Sequence, residues 1–344
     1  RFRKEFEAVF VEVLEVAREN QLSRFGTVSL DGTKIHANAS RHSALSYGHA
    51  EAIEAQLKAE VQELLALAEE ADGANVPDGM SLPAELERRE DRLAAIAAAK
   101  AKIAARAAER YAREQADYEA KLAARAAKAA ASGKKPRGKP PQPPTPGPRA
   151  DEQINLTDEE SRIMPVAGGG FEQCYNAQAI VDTDTMLVVV PQVVQAANDK
   201  QQVAPMLEKL QDLPEGLNHP DQCLADAGYF SEANVDTCEA AGIEPLIALQ
   251  RDEHHPHWSE RFGEPSAPQA GATPVERMAN RLKTRTGRAA YALRKQTVEP
   301  VFGIIKSVMG FRQFLTRGLD NVQGEWTLVC LAWNLKRMAV LRPQ

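Results

Sequence analysis

The chain has 344 residues, a net charge of −6 and 43% hydrophobic residues, enough for one large core with an appendage or for two domains. No apolar run approaches the roughly 20 residues that span a bilayer, and no charged stretch followed by an apolar one opens the chain, so membrane insertion and secretion are set aside. The cysteines Cys174, Cys223, Cys238 and Cys330 form no C-x-x-C pair, which predicts buried, reduced thiols in a cytoplasmic protein.

Residues 1–20 carry Phe6, Val9, Phe10, Val13, Leu14 and Ala17 at helical spacing, predicting an amphipathic helix. Thr27-Val28-Ser29-Leu30 predicts a short strand, and residues 33–38 a second. Asp31-Gly32 between them is a hairpin signal. The alternative for Asp31 is a carboxylate at the C-terminal end of a central strand, which requires partner acids elsewhere. From about 50 to 131 the sequence is rich in Ala, Glu, Lys and Arg. Ile53, Leu57, Val61 and Leu64 form one helical stripe. After a break at 72–83, a second stripe has Leu86, Leu93, Ile96 and Ile103, then Tyr111, Tyr118 and Leu122. The seven-residue steps predict two antiparallel helices in a coiled-coil-like arm. A plain spacer fits this arm as well as a DNA- or protein-contacting one. Residues 132–148 are too rich in Pro for helix or ladder and predict an extended linker. Its Lys134, Lys135, Arg137 and Lys139 are read as solubilising charges.

Two strands are predicted over 171–181 and 186–194, then a helix over 202–210. A short apolar strand, 222–225, ends at Asp226. Ser231 caps a helix running to Ala240, and 243–249 is a further strand. Alternating strands and helices indicate an α/β sheet. A loop follows over 251–273, and from Pro274 the chain reads as helical to its end. The implied organisation is 1–48 as the first helix and strands of a core, 49–131 as the arm, 132–150 as the linker, and 151–344 as the rest of the core with basic C-terminal helices.

Asp226 closes a strand where α/β folds place their ligands, outside the strand's carboxyl end. Asp31 and Asp226 on two strand ends are therefore candidates to share a divalent cation. A third acid comes from the C-terminal region. Glu299 and Lys306, seven apart, share a helix face, with Arg294 and Lys295 about one turn before Glu299. A lone acid among cations is commonly half of a surface ion pair. Here the cations from 277 to 317 are Arg277, Arg281, Lys283, Arg285, Arg288, Arg294, Lys295, Lys306, Arg312 and Arg317, and Glu299 is the sole acid. A basic helical stretch inside an acidic protein is the footprint of a polyanion.

These pieces resemble the DDE transposases of bacterial insertion sequences, in the group whose third acid lies in a Tyr…Arg…Glu…Lys signature. The matching segments are Ser29-Leu-Asp31-Gly-Thr-Lys, the Ala-rich insertion and Pro-rich linker, residues 154–164, Tyr175-Asn-Ala-Gln178, Ala225-Asp226-Ala-Gly-Tyr229-Phe, and Tyr291 to Lys306. Four residues separate Arg294 from Glu299, one more than in the commonest form of the signature. The resemblance implies a ribonuclease-H-like mixed sheet flanked by helices, with Asp31, Asp226 and Glu299 as the metal triad. It also implies that Tyr291, Arg294 and Lys306 contact DNA. Arg285, Arg288, Lys295 and Arg312 in the same basic stretch are read as further DNA contacts. The expected cofactor is a pair of Mg²⁺ ions, with Mn²⁺ as substitute, about 4 Å apart. Asp31 would bridge both, Asp226 hold one and Glu299 the other.

The activity implied is cleavage of phosphodiesters at the element's ends, followed by strand transfer of the 3′-hydroxyl into target DNA. A metal-dependent nuclease, or an inactive transposase-derived DNA-binding protein, is the alternative. Double-stranded DNA is the expected partner, a homodimer the expected assembly and the bacterial nucleoid the expected location, with no membrane. The chain opens on Arg1, and the resemblance implies a helical DNA-binding domain upstream. His254, His255 and His257 lack a second ligand cluster and read as a polar loop. Asp182, Asp184 and Asp199 read as turn and cap residues, with Asn198 and Asp199 near the site as the other reading. Trp326, Leu328, Leu331, Trp333, Leu335 and Met338 read as helix core.

Overall fold

A computed structural model describes residues 3–69, 80–133, 138–250 and 263–341. His254, His255, His257, Lys134, Lys135, Arg137 and most of the break at 72–83 lie outside the described residues. The chain divides into two compact units, one of residues 1–41 and 160–344, the other of residues 42–159.

The first unit is a mixed sheet with helices. Strand β1 (Thr27–His36) pairs antiparallel with β5 (Phe171–Asp182) on one side and parallel with β7 (Gln222–Ala225) on the other. Beyond β7 lies β8 (Glu244–Ile247), again parallel. The outer edge of β5 carries β4 (Arg162–Pro165) beside its first residues and β6 (Val188–Val194) beside its last, both antiparallel to it. β5 is buried from Gln173 to Asp182, as befits a strand covered on both faces.

Helix α1 (Arg3–Glu19) buries Phe10, Leu14 and Ala17 and packs on α8 (Leu319–Leu341), which lies against β6. Helices α4 (Val203–Gln211) and α5 (Glu232–Ala240) follow their strands, and the Ser231 hydroxyl accepts from Asn234 N–H as the cap of α5. Helix α6 (Pro274–Lys283) begins in a capping box between Thr273 and Glu276. Helix α7 (Arg285–Ser307) lies against β1, β5 and β7.

Three expectations need correction here. Asp31-Gly32 is no hairpin: β1 is one continuous strand, because nine of its residues pair with β5. The C-terminal region is not helical throughout. Helix α7 ends at Ser307, and residues 308–318 turn at Gly310, whose φ of 77° few side chains tolerate, and run to the end of β1. There His36 N–H donates to Arg312 C=O and Phe314 N–H to His36 C=O. Trp326 and Trp333 are core, but Leu328 and Leu335 are exposed. The four cysteines are free and buried.

The second unit holds the helical insertion. α2 (Tyr47–Glu69) and α3 (Leu82–Ser132) bury Leu57, Leu64, Ile96 and Ile103 together with Leu45 and Ile154 of the short pair β2 (Ala44–Ser46) and β3 (Gln153–Asn155). Arg89 meets Glu60 at 2.7 Å and Lys100 meets Glu54 at 2.8 Å, so the helices run antiparallel. The second half of the predicted stripe does not continue this packing, and Leu122 is exposed. Along that half lies the Pro-rich segment: Arg110 donates to Gly147 C=O, Arg125 to Gly138 C=O, and Arg149 pairs with Glu114 at 3.0 Å. No described helix is long and apolar enough to cross a membrane.

Candidate active site

Parallel pairing between β1 and β7 ends at Leu30 opposite Ala225. The next residue on each strand is an acid, Asp31 on β1 and Asp226 after β7. Adjacent strands lie about 4.8 Å apart, so these two acids are neighbours, and each lies in the other's field. The Asp226 carboxylate accepts from Gly228 N–H at 2.8 Å, which holds the turn that follows. Asp31 is not at the end of its strand, since β1 continues to His36. It lies instead where the parallel partner stops.

Arg294 brings in the third acid. Its guanidinium reaches Asp31 Oδ2 at 2.9 Å and Glu299 Oε1 at 3.2 Å. The five-residue spacing on α7 therefore still places Arg294 against Glu299. The arginine side chain is 11% exposed and that of Glu299 50%. Burial pushes the Asp31 carboxyl up to about 6, although Arg294 and Gly32 N–H pull it down, and Asp226 and Asp199 add to the rise. Asp31 thus combines burial with a guanidinium partner and neighbouring carboxylates, a combination common at functional sites.

Among the described residues no three His, Cys, Asp or Glu side chains meet closely enough to hold a metal ion. The donor chemistry nevertheless suits a hard cation, since Asp31, Asp226 and Glu299 offer only carboxylate oxygens. Arg294 is the cation that stands between two of them.

Lys306 is anchored to β1, donating to Thr33 Oγ1 at 2.5 Å and Lys34 C=O at 2.8 Å. Burial lowers both Lys306 and Lys34 from the ordinary lysine range. Lys295 and Arg285 are exposed on α7, and Arg288 donates to Gly263 C=O and Lys283 C=O. Arg312 is exposed and caps Lys306 C=O at 3.0 Å. Tyr291 is partly buried on α7, one turn before Arg294. The basic stretch is less unpaired than its sequence implies: Arg277 binds Glu239 at 2.5 Å and Arg281 binds Glu244 at 2.6 Å.

Sequence reasoning gave Asn176, Gln178 and Tyr229 no role and placed Asp199 near the site only as its second reading. Asn176 and Gln178 on β5 both donate to Asp199 Oδ1, at 2.7 and 2.6 Å. Tyr229, fully buried, donates to Gln178 Oε1 at 2.5 Å. Asp199 is thus more than a turn residue. Asp182 does keep its turn role, accepting from Thr185 N–H and from Ser23 Oγ.

Comparison with curated proteins finds no match to this chain. A family model described as "Transposase DDE domain" matches residues 144–335, more than half of the chain. That span contains Asp226 and Glu299, while Asp31 lies before it. With more than half of the chain matched, the chain belongs to the transposase DDE domain family.

Proposed function

We propose that the chain is the catalytic core of an insertion-sequence transposase with a ribonuclease-H-like fold. The order β6-β5-β1-β7-β8, with β5 alone running against the others, supports that fold. The observation that carries the function is the adjacency of Asp31 and Asp226 at the end of the parallel pair, with Glu299 reached through Arg294.

In this reading Asp31, Asp226 and Glu299 hold two Mg²⁺ ions, for which Mn²⁺ substitutes. Such ions supply an activated oxygen nucleophile and stabilise the leaving oxygen of a phosphodiester. The chain's own residues position the strand. Lys295, Arg285 and Arg312 meet phosphates of double-stranded DNA from the exposed side of α7 and the segment after it, and binding weakens as salt rises. Arg288, Tyr291 and Lys306 complete that face. With Asp31 and Glu299 engaged by the ions, Arg294, which otherwise pairs with both, would be free to meet a phosphate. Water adds across a P–O bond at the element's end, leaving a 3′-hydroxyl and a 5′-phosphate. That hydroxyl then attacks a target phosphodiester, and the target's own 3′-oxygen leaves with the proton. The bonds made and broken are alike, so no external energy source is required. The working protein is a homodimer on nucleoid DNA, and the insertion is a coiled-coil-like arm of it.

The test uses duplex DNA carrying the element's terminal repeat, with Mg²⁺, and a second assay joining pre-cut ends to plasmid. Asp31→Ala and Glu299→Gln are expected to abolish both reactions while leaving the circular dichroism unchanged. Cleavage at the wild-type rate by either variant removes that residue from the mechanism. Cleavage without joining by the wild type leaves only a nuclease.

A further inference from the structure

Asp199 follows β6 and comes to rest beside the acids of β1 and β7. Its Oδ1 accepts from Asn176 Nδ2 and Gln178 Nε2, and Lys34 Nζ lies 3.7 Å from the same oxygen. Gln178 is fully buried and pairs across the sheet with Gly32, the residue after Asp31. Its side chain crosses Gly32 so closely that a Cβ there would sit 2.1 Å from Nε2. The other end of the Gln178 amide accepts from the Tyr229 hydroxyl. Tyr229 lies three residues after Asp226. A second tie joins the same two segments: Asn234 Nδ2 donates to both Tyr229 C=O and Lys200 C=O, at 2.6 and 2.7 Å.

An amide has one accepting end and one donating end, whereas a carboxylate only accepts. The Asp199 carboxylate therefore fixes which way the Gln178 amide faces. That orientation leaves Oε1 towards Tyr229 and makes the phenol a donor. We propose that Asp199 is a positioning residue that, through Gln178 and Tyr229, holds the turn bearing Asp226 in register beside Asp31. The proposal rests on the reading of Asp31 and Asp226 as metal-holding acids. Asp199 itself needs no contact with metal or DNA in this role.

The experiment compares Asp199→Asn, Asp199→Leu and Tyr229→Phe, measuring Mn²⁺ binding by the electron paramagnetic resonance signal of the free ion. In parallel, end cleavage is titrated with Mg²⁺. Asparagine keeps an oxygen that accepts from Asn176 and Gln178; leucine does not. Asp199→Leu and Tyr229→Phe are expected to raise the Mn²⁺ dissociation constant and the half-saturating Mg²⁺ concentration roughly tenfold. Asp199→Asn, which keeps the hydrogen bonds and loses only a charge felt at Asp31, is expected to stay much nearer the wild type than Asp199→Leu in both, and the rate at saturating Mg²⁺ to be kept in all three. A merely structural role would lower the melting temperature without moving the half-saturating concentration. If Asp199→Leu does not fold, Tyr229→Phe carries the same expectation. Unchanged metal affinity in the folded variants overturns the positioning role alone. Equal impairment in Asp199→Asn and Asp199→Leu also overturns it, because charge rather than hydrogen bonding would then matter. A wild type that binds no Mn²⁺ overturns the metal site and the positioning role together.

Discussion

An acid beside a cation occurs in both units, with opposite results. On the helical insertion, Glu54 is held by Lys100 and Lys58, and its carboxyl falls to about 2. In the sheet unit, Asp31 has Arg294 at 2.9 Å, yet its carboxyl rises to about 6. The partner cation is as close in one as in the other, so proximity does not decide the sign. Water does. Glu54 loses less of its solvation and gains two ammonium donors, while desolvation is the largest effect on Asp31, which also lies near further acids. The insertion uses ion pairs to decorate a helix surface. The sheet unit retains an unfavourable charge, which is a cost that binding of a cation would offset.

The contrast breaks most sharply at Asp31. Asp31→Asn is expected to lower end cleavage about 10³-fold or more and, in metal-free buffer at neutral pH, to raise stability by up to about 3 kcal/mol. The sign follows from the direction of the shift. The folded state binds the Asp31 proton more tightly than the unfolded chain, so ionisation costs stability. That cost is absent below about pH 4 and complete above about pH 6. Melting curves of the wild type and Asp31→Asn, without metal, should therefore coincide at low pH and separate through that window. Parallel curves would remove the burial argument.

Next in size is Gly32→Ala. The added methyl would meet Gln178, which Asp199 and Tyr229 hold from both ends, so no cheap shift relieves it. A loss of about 1–3 kcal/mol is expected by chemical denaturation, together with lower affinity for Mn²⁺. A fully stable variant would show that the amide is free to move. The smallest effect belongs to the insertion. Glu54→Gln and Lys100→Met, taken singly and together in a double-mutant cycle, should show weak coupling that added salt erases. Coupling that survives high salt would place that pair with the buried ones.

Local signals made much of the fold legible. The apolar run before Asp226, the Ser231 cap and the stripe of α2 each need only neighbours in sequence, and each appears where it was expected. Asp31-Gly32 shows the limit. The pair has strong turn chemistry, but β5, far along the chain, supplies partners that hold it extended. Gly32 is required because Gln178 crosses it, and no local pattern contains that fact. The same holds for Asp199, whose donors Asn176 and Gln178 lie on another strand. Arg294 was legible as a cation near Glu299, but its bond to Asp31 depends on how α7 lies over β1. Residues 308–318 have the apolar content of a helix, but the chain turns at Gly310 and pairs with His36 instead.

Strands β1 and β5 are side-by-side antiparallel partners, yet His36 meets Cys174, with the whole insertion between them. A tight hairpin would bring such strands together almost at once. Here, closing a connection this long costs about 3 kcal/mol more in chain entropy than closing a short turn. On a ribosome adding roughly 5–20 residues each second, β1 waits on the order of ten seconds for its mate to emerge. The two long helices, α2 and α3, are complete in sequence before β5 is made. Helices that order before β5 emerges would shorten the flexible path that must close.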